Sequence, residues 1–416
     1  MPRFTNLGLA ASPVRWTDDN GSMRFYLDHA ATSPLRSEAR DAWLAATEVV
    51  GNASSTHGAG QDARRLLEES RERAAAVLGC DPIEVVLTSG GTESINTALN
   101  GLWRARAAGA DAVVLPDAEH HATMDTVAAL AKEGACVRAV PVSAQARIDL
   151  EAFRAALPGA ALATALVANN EAGTINDASA LSRAAADAGV PLHLDAVAAW
   201  GHVRLSFREL RGDAPAAAGL VAMSVAGHKI GAPVGTGALV VARSARIEPL
   251  LHGGAQQRGL RAGTQDVAGA AAFAAALEAT EAERESESAR LSGLRDRLVA
   301  GIRSAVPQAQ LLGDPVKRLP GNAHLLFPGA VGESLLFLLD AAGIAASTGS
   351  ACQAGVAEPS HVVMAMGRDE HDARSALRFT LGRASADADV DAVLAVIQDV
   401  YARASASASA SASASR

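Results

Sequence analysis

Short apolar runs alternate with longer alanine-rich segments along most of this chain. The runs that have the composition of buried strands are residues 85–88, 112–115, 163–167, 191–194, 220–225 and 237–241. Strands that alternate with helical segments build βα units, whose parallel strands form a sheet covered by helices on both faces. We therefore predict an α/β fold with a mostly parallel sheet and with its functional groups on the loops that follow the strands.

The length of the chain favours two domains. Its 416 residues, of which 49% are hydrophobic, exceed the size of about 250–300 residues at which a single hydrophobic core stops growing. The charged, helix-like segment 281–303 marks the passage to a second unit, in which residues 323–327 and 376–380 have the composition of strands.

These patterns suggest approximate boundaries. We predict a large domain at residues 37–285 and a smaller α+β domain formed by residues 25–36 and 286–403. Residues 1–24 show no clear periodicity and are interpreted as an N-terminal extension. Residues 404–415 alternate alanine and serine, which bury too little apolar area to offset the entropy of ordering, so we expect a disordered tail at residues 404–416.

The net charge and the cysteines narrow the class of protein. A formal net charge of −8 without a lysine- or arginine-rich block argues against nucleic acid as a partner. No apolar run approaches the roughly 18 residues of a membrane span, so we expect no membrane association. Cys80, Cys136 and Cys352 are too scattered for a disulfide framework and form no Cys-x-x-Cys pair for a metal. We expect a cytoplasmic protein without a metal site.

One lysine directly follows a predicted strand. The strand at 220–225 leads into a turn of small residues that presents Lys229. A lysine in such a place can form a Schiff base with an aldehyde cofactor. Taken alone, the pattern fits an ordinary exposed loop lysine better, so the assignment depends on the neighbouring motifs.

Three further predicted strands also end in polar residues. The glycine turn and helix start at residues 89–94 can offer free N–H groups to a phosphate, although Thr92 and Ser94 would also serve as plain helix caps. Asp195 can pair with a protonated pyridine nitrogen, and His120 can stack on a planar cofactor and move protons. Each of these residues, taken singly, would more commonly be a cap or a surface side chain.

Together these motifs resemble the class V, fold-type I enzymes that depend on pyridoxal 5'-phosphate (PLP), and most closely the NifS/IscS-like cysteine desulfurases. The resemblance spans about residues 25–402 and depends on residues 26–34, 51–57, 88–94, 169–173, 227–229 and 261–264. It implies the α/β fold of a fold-type I PLP-dependent transferase, with a seven-stranded, mostly parallel sheet in the large domain and a smaller α+β domain.

The resemblance also implies how the cofactor ring is held. Lys229 matches the lysine that forms the Schiff base and later moves the Cα proton of the substrate. Asp195 matches the partner of the pyridine nitrogen, and His120 matches the residue stacked on the ring.

A second group of matching residues surrounds the cofactor phosphate. Thr92 and His228 match phosphate ligands, and Gly91 belongs to the glycine turn beside them. Thr264 matches a residue that reaches the phosphate across a dimer interface, so the resemblance implies a homodimer.

Two residues match the site of the substrate carboxylate. Asn170 corresponds to a residue that contacts both cofactor and substrate, and Arg378 to the arginine that holds the carboxylate. Arginine suits that role because its planar guanidinium binds a carboxylate through two hydrogen bonds.

The nucleophile implied by the resemblance is Cys352. It ends the segment 347–352, which a stretch rich in small residues continues to Pro359, as in desulfurases with a long mobile catalytic loop. The alternative for Cys352 is the usual fate of a free cysteine, a small buried hydrophobic residue. We interpret Cys80 and Cys136 as structural.

The sequence departs from the family pattern at two positions. Ala198 stands where relatives commonly have a glutamine that donates to the cofactor ring, and Ala226 where they have a serine that binds the phosphate. Losing one neutral hydrogen bond typically costs about 0.5–1.5 kcal/mol, so we expect reduced cofactor binding rather than its loss.

The implied activity converts L-cysteine to L-alanine and holds the sulfur as a persulfide on Cys352. An acceptor protein, either a scaffold for iron–sulfur clusters or a tRNA-thiolating enzyme, would then take the sulfur. Two alternatives stay open: a selenocysteine lyase or another class V PLP lyase, and a sulfur-transfer scaffold with impaired PLP binding caused by Ala198 and Ala226.

Overall fold

The computed structural model describes residues 15–17, 23–349 and 358–414, with side chains described for 23–349 and 358–406. The helices in these ranges are α1 (Ser37–Thr47), α2 (Gly58–Leu78), α3 (Gly91–Arg104), α4 (His121–Lys132), α5 (Leu150–Ala156), α6 (Ala178–Asp187), α7 (Phe207–Arg211), α8 (Val267–Ala305), α9 (Gly332–Ala341), α10 (His361–Ala365), α11 (Glu370–Arg374) and α12 (Asp387–Ala414). The strands are β1 (Arg15–Thr17), β2 (Met23–Tyr26), β3 (Val85–Thr88), β4 (Ala112–Pro116), β5 (Cys136–Val140), β6 (Ala160–Leu166), β7 (Pro191–Asp195), β8 (Gly219–Ala226), β9 (Gly237–Val241), β10 (Gln310–Leu311), β11 (Asn322–Leu326), β12 (Ile344–Ala345) and β13 (Ala376–Thr380).

A seven-stranded sheet organises the larger part of the molecule. Its strand order is β3-β9-β8-β7-β6-β4-β5, and the pairs among β8, β7, β6, β4 and β5 are parallel. Strand β9 runs antiparallel to both of its neighbours, β3 and β8. The predicted α/β fold with a mostly parallel seven-stranded sheet is confirmed.

The two faces of this sheet are buried separately, because successive side chains of a strand point to opposite faces. On one face, Leu192 and Leu194 of β7 pack in a core that also contains Phe273 of α8. On the other face, Val113 and Leu115 of β4 pack with residues of α3 and α4. We call these two clusters together the large core.

A second hydrophobic core, the small core, lies around the antiparallel sheet β10-β11-β13. It combines Leu325 of β11 and Phe379 of β13 with side chains from α9, α12 and the second half of α8. Helix α8 therefore contributes to both cores, through Phe273 near its start and Leu298 near its end. We propose that the cores mark the two predicted domains, residues 37–285 and residues 25–36 with 286–403.

The chain ends differ from the sequence-based expectation. Strand β1 pairs antiparallel with β2, so residues 15–17 of the predicted extension belong to a sheet. Helix α12 continues to Ala414, where we expected a disordered tail from residue 404, and Ala404 itself is buried in the small core. Alanine has the highest helix propensity, so an alanine–serine repeat can extend a helix that tertiary packing has already nucleated.

No helix among the residues that the structure describes is long and apolar enough to cross a membrane.

Candidate active site

A cavity of about 380 Å³ lies at the carboxyl ends of β4, β6, β7 and β8. Eight of the ten predicted site residues line it: Gly91, Thr92, His120, Asn170, Asp195, His228, Lys229 and Arg378. A volume of this size is typical of small-molecule sites, and the edge of the sheet is where α/β proteins bind ligands. The fold thus gathers residues that are far apart in sequence around one space.

Lys229 reaches the cavity from a tight turn after β8. The amides of Ile230 and Ala232 both donate to the carbonyl of Gly227, at 3.0 Å each, and so close the turn that holds the lysine. Gly227 has no room for a side chain, because a Cβ there would lie 2.3 Å from Thr236 Oγ1. Burial lowers the pKa of Lys229 from its ordinary 10.5 to about 8, and the negative charge of Asp195 opposes this shift.

Asp195 is the last residue of β7 and is 2% exposed. Its Oδ1 accepts a hydrogen bond from the amide of Val197 at 2.8 Å, which holds the carboxylate at the floor of the cavity. Burial raises the pKa of Asp195 to about 6, while the Val197 amide and the Lys229 charge oppose that rise. A cationic ligand atom beside this carboxylate would favour its charged form.

His120 caps α4 and presents a neutral imidazole to the cavity. Its Nδ1 accepts from the amide of Ala122 at 3.1 Å, so the proton of the neutral ring lies on Nε2. Burial and the nearby charge of Lys229 lower the pKa of His120 to about 4. Beneath it, the fully buried Glu119 accepts from the amide of Leu166 at 2.8 Å, and burial raises its pKa to about 8.

Helix α3 lines another part of the cavity with its first turn. Gly91 and Thr92 are its first residues, and the first amides of a helix have no acceptor within the helix. These amides and the positive end of the helix dipole suit an anion. Gly91 leaves little spare room, because a Cβ there would lie 2.7 Å from Val197 Cγ2. His228 adds a neighbouring ring whose pKa is lowered by burial.

Arg378 occupies another part of the wall, on β13 of the small core. Its Nη1 donates to the carbonyl of Asn170 at 2.9 Å, and its Nη2 donates to Asp28 Oδ1 at 2.9 Å. The Nε atom is buried and has no hydrogen-bond partner among the residues that the structure describes. A guanidinium with an unused donor beside a cavity is suited to a carboxylate ligand.

Two predicted residues are not part of this arrangement. Thr264 is exposed and does not line the cavity of its own chain. It follows Arg261, which forms an ion pair with Glu93 of α3 at 2.9 Å. Cys352 lies outside the described residues, as does most of the segment to Pro359 for which we predicted a mobile loop.

Both departures from the family pattern face the cavity. Ala198 and Ala226 both line the cavity, so neither position offers the side-chain hydrogen bond that a glutamine or a serine would give to a ligand there. The polar side chains that remain around the same space include Asp195 and His228.

Five polar residues of the cavity were not predicted from the sequence: Asp28, His121, Glu171, Ser347 and His361. Asp28 and Glu171 stand inside motifs that carried the resemblance, but nothing in their spacing assigned them a role. Glu171 Oε2 accepts from Ser360 Oγ at 2.5 Å, and His361 Nε2 hydrogen-bonds the carbonyl of Glu119 at 2.8 Å. No local pattern pointed to His361, since it enters the site from a short helix after residues 350–357.

Known proteins resemble this chain over most of its length. The family model "Aminotransferase class-V" matches residues 25–393. An "IscS-like cysteine desulfurase" of Mycobacterium tuberculosis is 47% identical over 390 residues, which cover 91% of this chain and 96% of that protein. A "Cysteine desulfurase NifS" of Azotobacter vinelandii is 37% identical over 381 residues, 91% of this chain and 92% of that protein. The solved structure of a "NIFS-LIKE PROTEIN" superposes with a TM-score of 0.84 at 30% identity, over 91% of this chain and 100% of that one.

Proposed function

Because the chain belongs to the aminotransferase class-V family and is NifS/IscS-like, we propose that it is a PLP-dependent cysteine desulfurase, which converts L-cysteine to L-alanine. The observation that carries the proposal is the single cavity that gathers Lys229, Asp195, His120 and Arg378. A buried amine, a buried carboxylate, a neutral imidazole and a guanidinium with an unused donor are what a PLP enzyme needs for an α-amino acid.

The residues of the cavity fit the phosphate, the pyridine nitrogen and the aldehyde of PLP. The free amides at Gly91 and Thr92 suit the phosphate, and glycine is required at position 91 because a Cβ there would lie 2.7 Å from Val197 Cγ2. Asp195 suits the pyridine nitrogen, and Lys229 is the one lysine among the described residues that line the cavity. When bound, PLP supplies an electron sink that stabilises negative charge at the Cα atom of an amino acid.

Lys229 would hold the cofactor covalently and afterwards act as the base. With a pKa of about 8, a sizeable fraction of its amine is uncharged near neutral pH and can accept the Cα proton at Nζ. Asp195 would keep a negative charge next to the pyridine nitrogen, and the neutral ring of His120 would lie against the cofactor ring. Arg378 binds the substrate carboxylate and so orients the Cα proton towards the lysine.

Cys352 takes the sulfur. Its thiolate attacks the sulfur of the bound substrate, and the bond from that sulfur to the substrate Cβ breaks with its electron pair passing to Cβ, which takes up the proton released by the substrate thiol. The protein retains the sulfur as a persulfide, and L-alanine leaves. We propose an acceptor protein of iron–sulfur cluster assembly or tRNA thiolation. We also propose a homodimer in which Thr264 reaches the phosphate of the partner's site; a cytoplasmic location stays a prediction.

The lysines of this chain allow a direct test. The sequence contains three, Lys132, Lys229 and Lys317, and the first and last are exposed. Hydride reduction of the PLP-loaded protein should leave cofactor on the Lys229 peptide, and Lys229→Ala should abolish both this label and alanine formation. Lys132→Ala and Lys317→Ala serve as matched controls and should retain both.

The same assay separates the alternative activities. Turnover of L-cysteine to alanine with a persulfide on the protein supports a desulfurase. Turnover of selenocysteine alone would point to the lyase, and a protein that binds no PLP at all would support the scaffold with impaired cofactor binding.

A further inference from the structure

Asp28 is held next to Arg378 by the backbone as well as by its side chain. The segment after β2 runs along β13, where the amide of His29 donates to the carbonyl of Thr380 at 3.3 Å and the amide of Thr380 donates to the carbonyl of Leu27 at 2.7 Å. The Tyr26 hydroxyl also donates to the carbonyl of Asp28 at 3.0 Å. Asp28 therefore has a fixed position relative to the strand that carries the arginine.

The ion pair between Asp28 and Arg378 differs from a surface salt bridge. The Arg378 side chain is 6% exposed and that of Asp28 is 20% exposed, and both line the cavity. Within the described residues, Arg378 uses Nη1 on the Asn170 carbonyl and Nη2 on Asp28, and Nε is left without a partner. The arginine thus meets an incoming carboxylate while it is already bound to another one.

We propose that Asp28 is a positioning and specificity-determining residue, which orients Arg378 and offsets part of its charge so that the site accepts amino acids with a single carboxylate. This inference depends on the proposed role of Arg378. The orienting part comes from the hydrogen bond to Nη2, which fixes the plane of the guanidinium. The selective part comes from the negative charge, which disfavours a second carboxylate in a cavity that already contains Asp195 and Glu171.

The two parts of this role can be separated, because one substitution removes the charge alone. Asp28→Asn keeps an oxygen that can accept from Nη2, so the guanidinium stays oriented while its charge is no longer offset. Carboxylate ligands should then bind more tightly. Asp28→Ala removes both the charge and the hydrogen bond, so the guanidinium loses its fixed plane and carboxylate ligands should bind more weakly than to Asp28→Asn.

The experiment compares L-alanine with L-aspartate, which differ by one carboxylate, by calorimetric titration of the PLP-loaded protein. We expect Asp28→Asn to tighten binding of both, with L-aspartate gaining about tenfold more than L-alanine, because a neighbouring unit charge changes affinity by at least this much in a partly buried site. Asp28→Ala should weaken L-alanine binding relative to Asp28→Asn. Asp340→Asn is the matched control, since Asp340 forms an exposed ion pair with Arg24 at 3.0 Å, and it should change neither ligand.

Arg378→Gln tests the role of Arg378 separately from the role of Asp28. If Arg378→Gln weakens L-alanine binding while Asp28→Asn leaves the ratio of the two affinities unchanged, the inference about Asp28 is wrong and the carboxylate site stands. If Arg378→Gln binds L-alanine as well as the parent protein does, the assignment of Arg378 fails and the role of Asp28 fails with it.

Discussion

At the scale of single residues, burial moves the pKa values of Lys229 and Asp195 towards each other. The lysine falls to about 8 and the aspartate rises to about 6, and in each case the opposite charge of the other residue limits the shift. A buried amine is thereby made available as a nucleophile near neutral pH, although an ordinary lysine amine would be almost fully protonated.

The first prediction concerns the pH dependence of cofactor attachment to Lys229. Only the uncharged amine attacks the aldehyde, so the attachment rate should rise about tenfold per pH unit below pH 8 and level off above it. Mixing PLP with the cofactor-free protein and following absorbance measures this rate. Asp195→Asn removes a charge that raises the lysine pKa, so it should shift the bend to lower pH. A rate that still rises towards pH 10.5, the ordinary lysine pKa, would contradict the buried environment.

The second prediction concerns the three cysteines. Cys352→Ser should retain PLP but form almost no alanine or transferable sulfur from L-cysteine, because a serine hydroxyl is essentially un-ionised and accepts sulfur poorly. Cys80→Ser and Cys136→Ser are the controls. Burial raises the pKa of the Cys80 thiol to about 12, so that thiol is not a nucleophile, and Cys136 lies exposed at the start of β5. Mass spectrometry should find one added sulfur on the Cys352 peptide. Wild-type desulfuration by Cys352→Ser would refute the persulfide mechanism.

At the scale of secondary structure, the start of α3 illustrates how one helix is shaped for an anion. Helices α2 and α3 both begin with glycine, at Gly58 and Gly91. A Cβ at Gly58 would meet nothing within 4 Å, whereas a Cβ at Gly91 would lie 2.7 Å from Val197 Cγ2. Position 91 therefore requires a glycine because of its packing against Val197, whereas the start of a helix does not by itself require one.

The third prediction uses this difference. Gly91→Ala should force Val197 or the start of α3 to shift and should weaken PLP binding several-fold, an effect of about 1 kcal/mol or more. Gly58→Ala should leave PLP binding unchanged. Equilibrium titration with PLP measures the affinities, and thermal unfolding of the cofactor-free proteins reports any general loss of stability. Equal PLP affinity in both variants would contradict the placement of the phosphate at α3.

Most of the strands that were predicted from the sequence are buried along nearly their whole length. Strands β3 and β9 match their expected bounds, since both are short apolar runs. Strand β5 was missed, because it lies at the edge of the sheet and most of its residues are exposed. The contact of Asp28 with Arg378 joins residues 350 positions apart, so only the folded chain reveals it.

At the scale of the whole molecule, the exposed position of Thr264 gives the fourth prediction. If Thr264 completes the phosphate site of a partner subunit, sedimentation should show a homodimer. Thr264→Ala should lower the affinity for PLP without dissociating the homodimer. Thr47→Ala, a change at an exposed threonine in α1, is the control and should alter neither property. A fully active monomer at working concentration would exclude this arrangement.

Helix α8 also has a consequence for how the molecule unfolds. Because Phe273 and Leu298 of one continuous helix belong to different cores, melting either core frays the helix that supports the other. The two halves should therefore lose structure in one cooperative calorimetric transition, although chains of two domains commonly show separate ones. Ser286 is exposed and lies between the two sets of buried residues in α8. Ser286→Pro should interrupt the helix there and split the unfolding transition in two, whereas Ser286→Ala should preserve the single transition. The cooperativity of thermal unfolding would then depend on the continuity of helix α8 rather than on the contacts between the two cores.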